Sequence, residues 1–218
     1  LMVTFAAIGV GITNKEKQQM LNEVLALDDT VHHYNEFRGC SMIAIYNGGG
    51  RLGGRVTGID TKAGEFKYTL AGEQCTTIQR VCEEKIFPFM DPPGRVTILR
   101  TAPNTGLNIH LDSKLKEVGT KQDKYRVVLN GTVDKLFFLD NKLNKVYVPN
   151  YYDSYILDGS HPHSIDPSVE EKITLCIGAP WHGEENKLYT SLIEKSAFKM
   201  TVSRPTIKDE WLDPALKK

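Results

Sequence analysis

The chain has 218 residues in which 27 basic and 27 acidic side chains cancel, so there is no global field to hold nucleic acid or an anionic membrane, and any ionic partner must be met locally. This length can bury a full core and fits one β-rich domain with helical additions. No apolar run approaches the roughly 20 residues that span a bilayer, and the four cysteines (Cys40, Cys75, Cys82, Cys176), with no CxxC pair, read as reduced thiols of a cytoplasmic protein rather than disulfide staples.

The opening LMVTFAAIGVGIT lacks the basic flank and cleavage pattern of a signal peptide and reads as a first strand; Leu1, ahead of Met2, carries no functional weight. Thr13 and Asn14 then precede Met20, Leu21, Val24 and Leu25 at helical spacing, an N-capped amphipathic helix ending near Asp28. SMIAIYN (41–47) is strand-like. GGGRLGGR (48–55) is a surface loop, and without a helix pattern after it the glycines do not form a phosphate cradle. EQCTTIQRVCEEKIF (73–87) carries a second helical stripe of Cys75, Ile78, Val81, Cys82 and Ile86.

From Arg95 onward the pattern changes to short β-type runs: RVTILR, LNIHLD, YRVVLNG, KLFFLD, KVYVP, SYILD and KITLCIG, with LDNKLNK (139–145) as a hairpin. At least seven short strands in about eighty residues indicate a sandwich or barrel, with jelly rolls and cupin-like barrels among the candidates. NKLYTSLIEKSAFKM (186–200) reads as a C-terminal helix followed by a charged tail. The expected organisation is one domain, mainly β with flanking helices (α+β). Residues 1–94 form a strand and helix part packed on a core at 95–182, and 183–218 form the helix and tail.

The chemistry concentrates in three places. If LNIHLDS (107–113) is a strand, alternation puts Asn108, His110 and Asp112 on one face and Leu107, Ile109 and Leu111 on the other. An Asp facing into a barrel is costly unless paired or bound to metal. Fifty residues on, in the run YILDGSHPHSIDPS, His163 offers a second imidazole. Two histidines and one carboxylate make the facial triad that suits iron(II), whereas a structural zinc site favours four closed ligands. His161 shares strand parity with His163, so alternation alone leaves both open. Nine residues past His163, Lys172, Thr174 and Cys176 share one face of KITLCIG, and a lysine on a strand that otherwise reads as core requires an anion. Lys172 with Thr174 can hold a carboxylate.

HxD, a distal His, then a basic residue nine on and a hydroxyl two later resemble the iron(II)/2-oxoglutarate oxygenases. Asp158, His163, Lys172 and Trp181 fall in the order seen at the end of the aspartyl/asparaginyl-hydroxylase-like and prolyl-hydroxylase-like branches, and LRTAPNTGLNIHLDS resembles the segment that brings in the first two ligands. The resemblance covers roughly residues 95 to 182 and implies a double-stranded β-helix core of the jelly-roll, cupin-like type. It also implies Fe(II) on His110, Asp112 and His163, 2-oxoglutarate as cosubstrate with its far carboxylate on Lys172 and Thr174, and O2. The outcome implied is hydroxylation of a small-molecule or peptidyl substrate with release of succinate. Arg126 in YRVVLNG matches an arginine of the aspartyl-hydroxylase-like branch and is a further cofactor-binding candidate, although Val128 stands where that branch has a histidine. His163 is the distal ligand by spacing to Lys172.

Arg100 and Asn108 are candidate contacts for a polar end of the substrate; His32, His33 and His182 read as surface residues. Two rivals stay open, a cupin-like metal enzyme that uses no 2-oxoglutarate and a non-enzymatic jelly-roll binding module.

Overall fold

The computed structural model describes residues 3–47, 66–89, 94–112, 123–149, 152–178 and 193–214. The glycine loop 48–55, Trp181, His182 and the start of the expected C-terminal helix lie outside them. The strands in chain order are β1 (Phe5–Ala7), β2 (His33–Asn35), β3 (Cys40–Asn47), β4 (Lys67–Tyr68), β5 (Val96–Thr101), β6 (Asp123–Asn130), β7 (Leu136–Leu139), β8 (Lys145–Tyr147), β9 (Ser154–Asp158), β10 (His163–Ile165), β11 (Lys172–Gly178) and β12 (Phe198–Met200). The helices are α1 (Asn14–Leu25), α2 (Leu70–Glu73) and α3 (Thr76–Val81).

Nine strands form one antiparallel sheet in the order β12-β1-β9-β6-β11-β5-β3-β2, with β4 also on β3, and three form a smaller sheet, β10-β7-β8. The fold is mainly β with few helices, a double-stranded β-helix. Alternation along the central strands sends Ile98, Val127, Ile156, Ile173 and Leu175 to one face of the large sheet, where they pack on Met20, Val24, Ile78 and Val81 of α1 and α3. The other face meets the small sheet through Phe5, Val128, Tyr155, Phe138, Leu136 and Ile165.

Three expectations need correcting. Residues 1–94 do not merely pack on a later core, because β1 is hydrogen-bonded between β9 and β12 and β3 pairs with β5 inside the large sheet. Helix does not run to residue 200: Phe198–Met200 is the strand β12, whose backbone groups are satisfied by β1. LNIHLD is not a continuous strand, since it pairs only through an isolated bridge between His110 and His163. The hairpin at 139–145 is present, with Leu139 opposite Lys145 and the Asp140 carboxylate accepting from the backbone N–H of Lys142 and Asn144.

Helix α1 begins with a full capping box, Glu16 N–H donating to Thr13 Oγ1 and Thr13 N–H to Glu16 Oε1. Lys85 lies 2.5 Å and Arg80 2.9 Å from the same carboxylate, and the Lys85 contact in particular draws its pKa down to about 2. Thr13→Ala is expected to cost about 1 kcal/mol of unfolding free energy, read as a lower denaturant midpoint at unchanged slope. Leu25, placed by periodicity on the apolar stripe, is exposed, and Leu27 just beyond the helix is buried in its stead. The stripe at 73–87 is buried as expected, but α3 gives way at Cys82 to a wider π-type turn. Among the described residues no helix is long and apolar enough to cross a membrane.

Candidate metal centre

The segment carrying His110 and Asp112 is laid against β10 by its backbone. Gly106 permits the approach: a Cβ there would sit 2.7 Å from the Ile165 carbonyl oxygen. Leu107 N–H donates to Ile165 O, and the His110 and His163 backbones exchange two bonds of 3.2 Å. Between the two ligand positions Leu111 points away, into Phe137, Leu139 and Trp211, while its N–H donates to Trp211 O. Asp112 N–H donates to Gly159 O at 2.7 Å, tying the carboxylate to the turn ahead of His163.

Each imidazole is aimed by a carbonyl. His110 Nδ1 lies 2.7 Å from Asn108 O and His163 Nδ1 2.7 Å from His161 O; a carbonyl only accepts, so both Nδ1 atoms carry hydrogen. Both Nε2 atoms face Asp112, with His110 Nε2 3.4 Å from Oδ1 and His163 Nε2 3.5 Å from Oδ2. One ligand atom from each of the three residues lies within 4.8 Å of the others. His110 and His163 are 2% and 1% exposed. Burial holds the His110 pKa down to about 4 against the pull of Asp112, so this imidazole is neutral at ordinary pH. Burial would raise the Asp112 carboxyl, but Arg38 and the two histidines outweigh it and keep it well below the usual range. Both Asp112 oxygens and His163 Nε2 are buried without a hydrogen bond; the Arg38 and Arg126 guanidiniums meet part of the carboxylate charge, while the buried His163 Nε2 is a polar atom that a bound metal would satisfy. Two imidazoles and a carboxylate are the donor set of a facial iron(II) site, and the carbonyl-oriented rings are how metal-ligating histidines are usually supported.

The turn before β10, rather than parity, separates the two candidate histidines. His161 precedes β10, and its Nε2 lies 2.7 Å from Leu139 O, away from Asp112. On the large sheet Cys176 pairs with Arg126, and Arg126 with Tyr155, so these three share the face on which Arg126 Nη2 reaches to 3.6 Å from Asp112 Oδ2. Lys172 and Thr174, two and one alternations along from Cys176, are buried on that same face. Lys172 Nζ makes no hydrogen bond. Burial, and then the Arg126 charge, push its pKa down to about 7.

Arg100 and Asn108 are not brought to the site. Arg100 has the parity of Ile98 and Ile173, opposite to Lys172, and pairs with Glu171 and His32. Asn108 is exposed, and its amide donates to Phe37 O. Asp158 is buried and structural, accepting from Ser160 and paired with Arg204. The sequence reading missed Arg38, whose Nη2 is 2.9 Å from Asp112 Oδ1; it sits in the turn between β2 and β3, where no periodicity reports on direction.

Fold and site together define a double-stranded β-helix with a two-histidine, one-carboxylate cluster between its sheets. No family model and no curated protein matches the sequence. Solved structures do. HygX from Streptomyces hygroscopicus, with nickel and 2-oxoglutarate bound, aligns with TM-score 0.52 at 12% identity over 84% of each chain. A prolyl hydroxylase from Trichoplax adhaerens, in complex with a hypoxia inducible factor oxygen degradation domain peptide fragment, aligns with TM-score 0.51 at 16% identity, over 87% of this chain and 88% of that one. The non-heme alpha-ketoglutarate-dependent epimerase SnoN aligns with TM-score 0.52 at 11% identity over 96% and 93%. The chain therefore has the fold shared by 2-oxoglutarate/iron(II) oxygenases, prolyl hydroxylases among them. A hydroxylase and an epimerase on one fold show that the fold alone does not select the reaction.

Proposed function

We propose that this chain is an iron(II)- and 2-oxoglutarate-dependent dioxygenase that hydroxylates a C–H bond of an amino-acid-like or peptidyl substrate. The observation that carries the reading is the convergence of the His110 and His163 Nε2 atoms on the Asp112 carboxylate, beside the sheet face that also buries Lys172 without a partner. His110, Asp112 and His163 would hold the metal. Iron and cosubstrate, when bound, would supply the oxidising power from O2, one oxygen atom ending in the succinate formed from 2-oxoglutarate with loss of CO2 and the other in the hydroxylated substrate.

The protein's own residues hold and orient. Asn108 O and His161 O keep the imidazoles in the ligating tautomer. Lys172 Nζ donates to the cosubstrate's far carboxylate, and the Thr174 hydroxyl adds a neutral hydrogen bond. Arg126, beside Asp112, offers a second cation on the same face. Val128, Phe138 and Ile165 form an apolar wall there that excludes water. The test is succinate formation from 2-oxoglutarate by iron-loaded protein, with a substrate screen scored by gain of one oxygen mass. Retained metal with no oxoglutarate turnover would favour the cupin-like alternative.

A pH dependence follows from Lys172. An unfolded lysine keeps its proton to about 10.5, while the folded one gives it up at about 7. In the free protein its contribution to stability therefore rises as pH climbs from about 7 to about 10.5. A bound carboxylate favours the charged form, so binding takes up a proton above about 7. Oxoglutarate affinity is expected to fall by up to about tenfold per pH unit above that point. Calorimetry in buffers of different ionisation enthalpy reads the proton uptake; affinity flat from pH 6.5 to 9 would remove Lys172 from the contact.

A further inference from the structure

Arg38 is built into the site from the β2–β3 turn at the edge of the large sheet. Its turn is clamped on the metal-bearing segment: Asn108 N–H donates to Arg38 O at 3.0 Å and the Asn108 amide to Phe37 O at 2.8 Å, while Arg38 N–H donates to Asn35 Oδ1 at 3.0 Å. Gly39, at φ +84°, closes the turn. The guanidinium thereby reaches Asp112 Oδ1, while its Nε is buried without a partner.

The charges on this face do not balance. A divalent ion and a dicarboxylate cancel one another, which leaves Asp112 against Arg38, Arg126, Lys172 and also Lys124, which has the parity of Arg126 on β6 and feels the Asp112 and Arg38 charges. A metal ion on Asp112 would share its carboxylate with Arg38, and the clamped turn keeps the guanidinium nearby. A cation that is only 16% exposed is costly to leave unpaired. Lys172 and Arg126, at 5% and 4% exposure, lie on the central strands, where they are the candidate anchors for the cosubstrate. Arg38, on the β2–β3 turn, is more open than Lys172 and Arg126.

We propose, on the basis of the oxygenase reading above, that Arg38 receives a carboxylate of the primary substrate, so that the substrate class is an acid whose own carboxylate pairs in fork geometry with the guanidinium. A free amino or hydroxy acid and an acidic peptide side chain share that chemistry.

The test uses the full chain loaded with manganese(II) and 2-oxoglutarate. Wild type, Arg38→Gln and Arg38→Lys are titrated with free L-amino acids against their carboxamides, and with C-terminally amidated peptides bearing Asp or Glu against Asn or Gln. Binding is read by the manganese resonance spectrum and by calorimetry. The expected result is a preference of about tenfold or more for the acid over its amide in one arm, abolished in Arg38→Gln and partly restored in Arg38→Lys, each protein being titrated at manganese saturating for it and with oxoglutarate affinity close to wild type. The arm that responds identifies the source of the carboxylate. Acid preference unchanged in Arg38→Gln, no preference in either arm, or a large loss of oxoglutarate affinity in Arg38→Gln would each overturn the assignment, the last making Arg38 a cosubstrate contact. Failure of wild type to bind manganese and oxoglutarate at all is a separate result that removes the parent reading, and this one with it.

Discussion

Replacing Lys172 by methionine is expected to weaken 2-oxoglutarate binding to the manganese-loaded protein by roughly 2–5 kcal/mol, much of it from the carboxylate left without its cation. The size follows from burial: Lys172 is 5% exposed and its Nζ has no hydrogen-bond partner in the protein, so the ammonium and its carboxylate would meet out of water. Methionine keeps the length and apolar stem, which confines the change to the charge, and manganese binding should survive. Thr174→Val removes one neutral hydrogen bond and should cost on the order of 1 kcal/mol. Arg126 is the competing anchor on the same face. A large loss in Arg126→Met with none in Lys172→Met would move the far carboxylate to β6.

Alanine at His110, Asp112 or His163 is expected to lower manganese affinity by more than about 100-fold, beyond the roughly 10–100-fold typical of groups that only orient a ligand. His161→Ala should retain the metal, because the carbonyl that orients His163 belongs to the main chain and survives the change. Its cost should fall on stability, about 1–3 kcal/mol, since Leu139 O loses a buried donor. Loss of metal in His161→Ala with retention in His163→Ala would reverse the assignment of the distal ligand. Equilibrium dialysis against manganese, with a thermal or denaturant melt on each variant, separates the two effects.

Much of this site was legible in the sequence because it obeys simple periods. The HxD pair, His163 and the two-residue step from Lys172 to Thr174 are local patterns; the structure groups His110, Asp112 and His163 and buries Lys172 and Thr174 on one sheet face. Alternation also contained the information that Arg100 faces away, since it is out of phase with the buried Thr101 opposite Lys172. What escaped the sequence depends on partners far along the chain. Phe198–Met200 is a strand only because β1 lies beside it, and its own residues fit a helical stripe equally well. The choice between His161 and His163 turned on the bend before β10 and on Leu139, which parity does not encode. Arg38 lies in a turn held by Asn108, seventy residues away, and no rule of spacing leads to it.

The most direct test of a metal and oxoglutarate site is calorimetric titration of 2-oxoglutarate into the protein with and without manganese(II). The expected result is binding to one site that requires the metal and is lost in His163→Ala. Oxoglutarate binding that is indifferent to manganese, or a manganese-loaded protein that does not bind oxoglutarate, would contradict it.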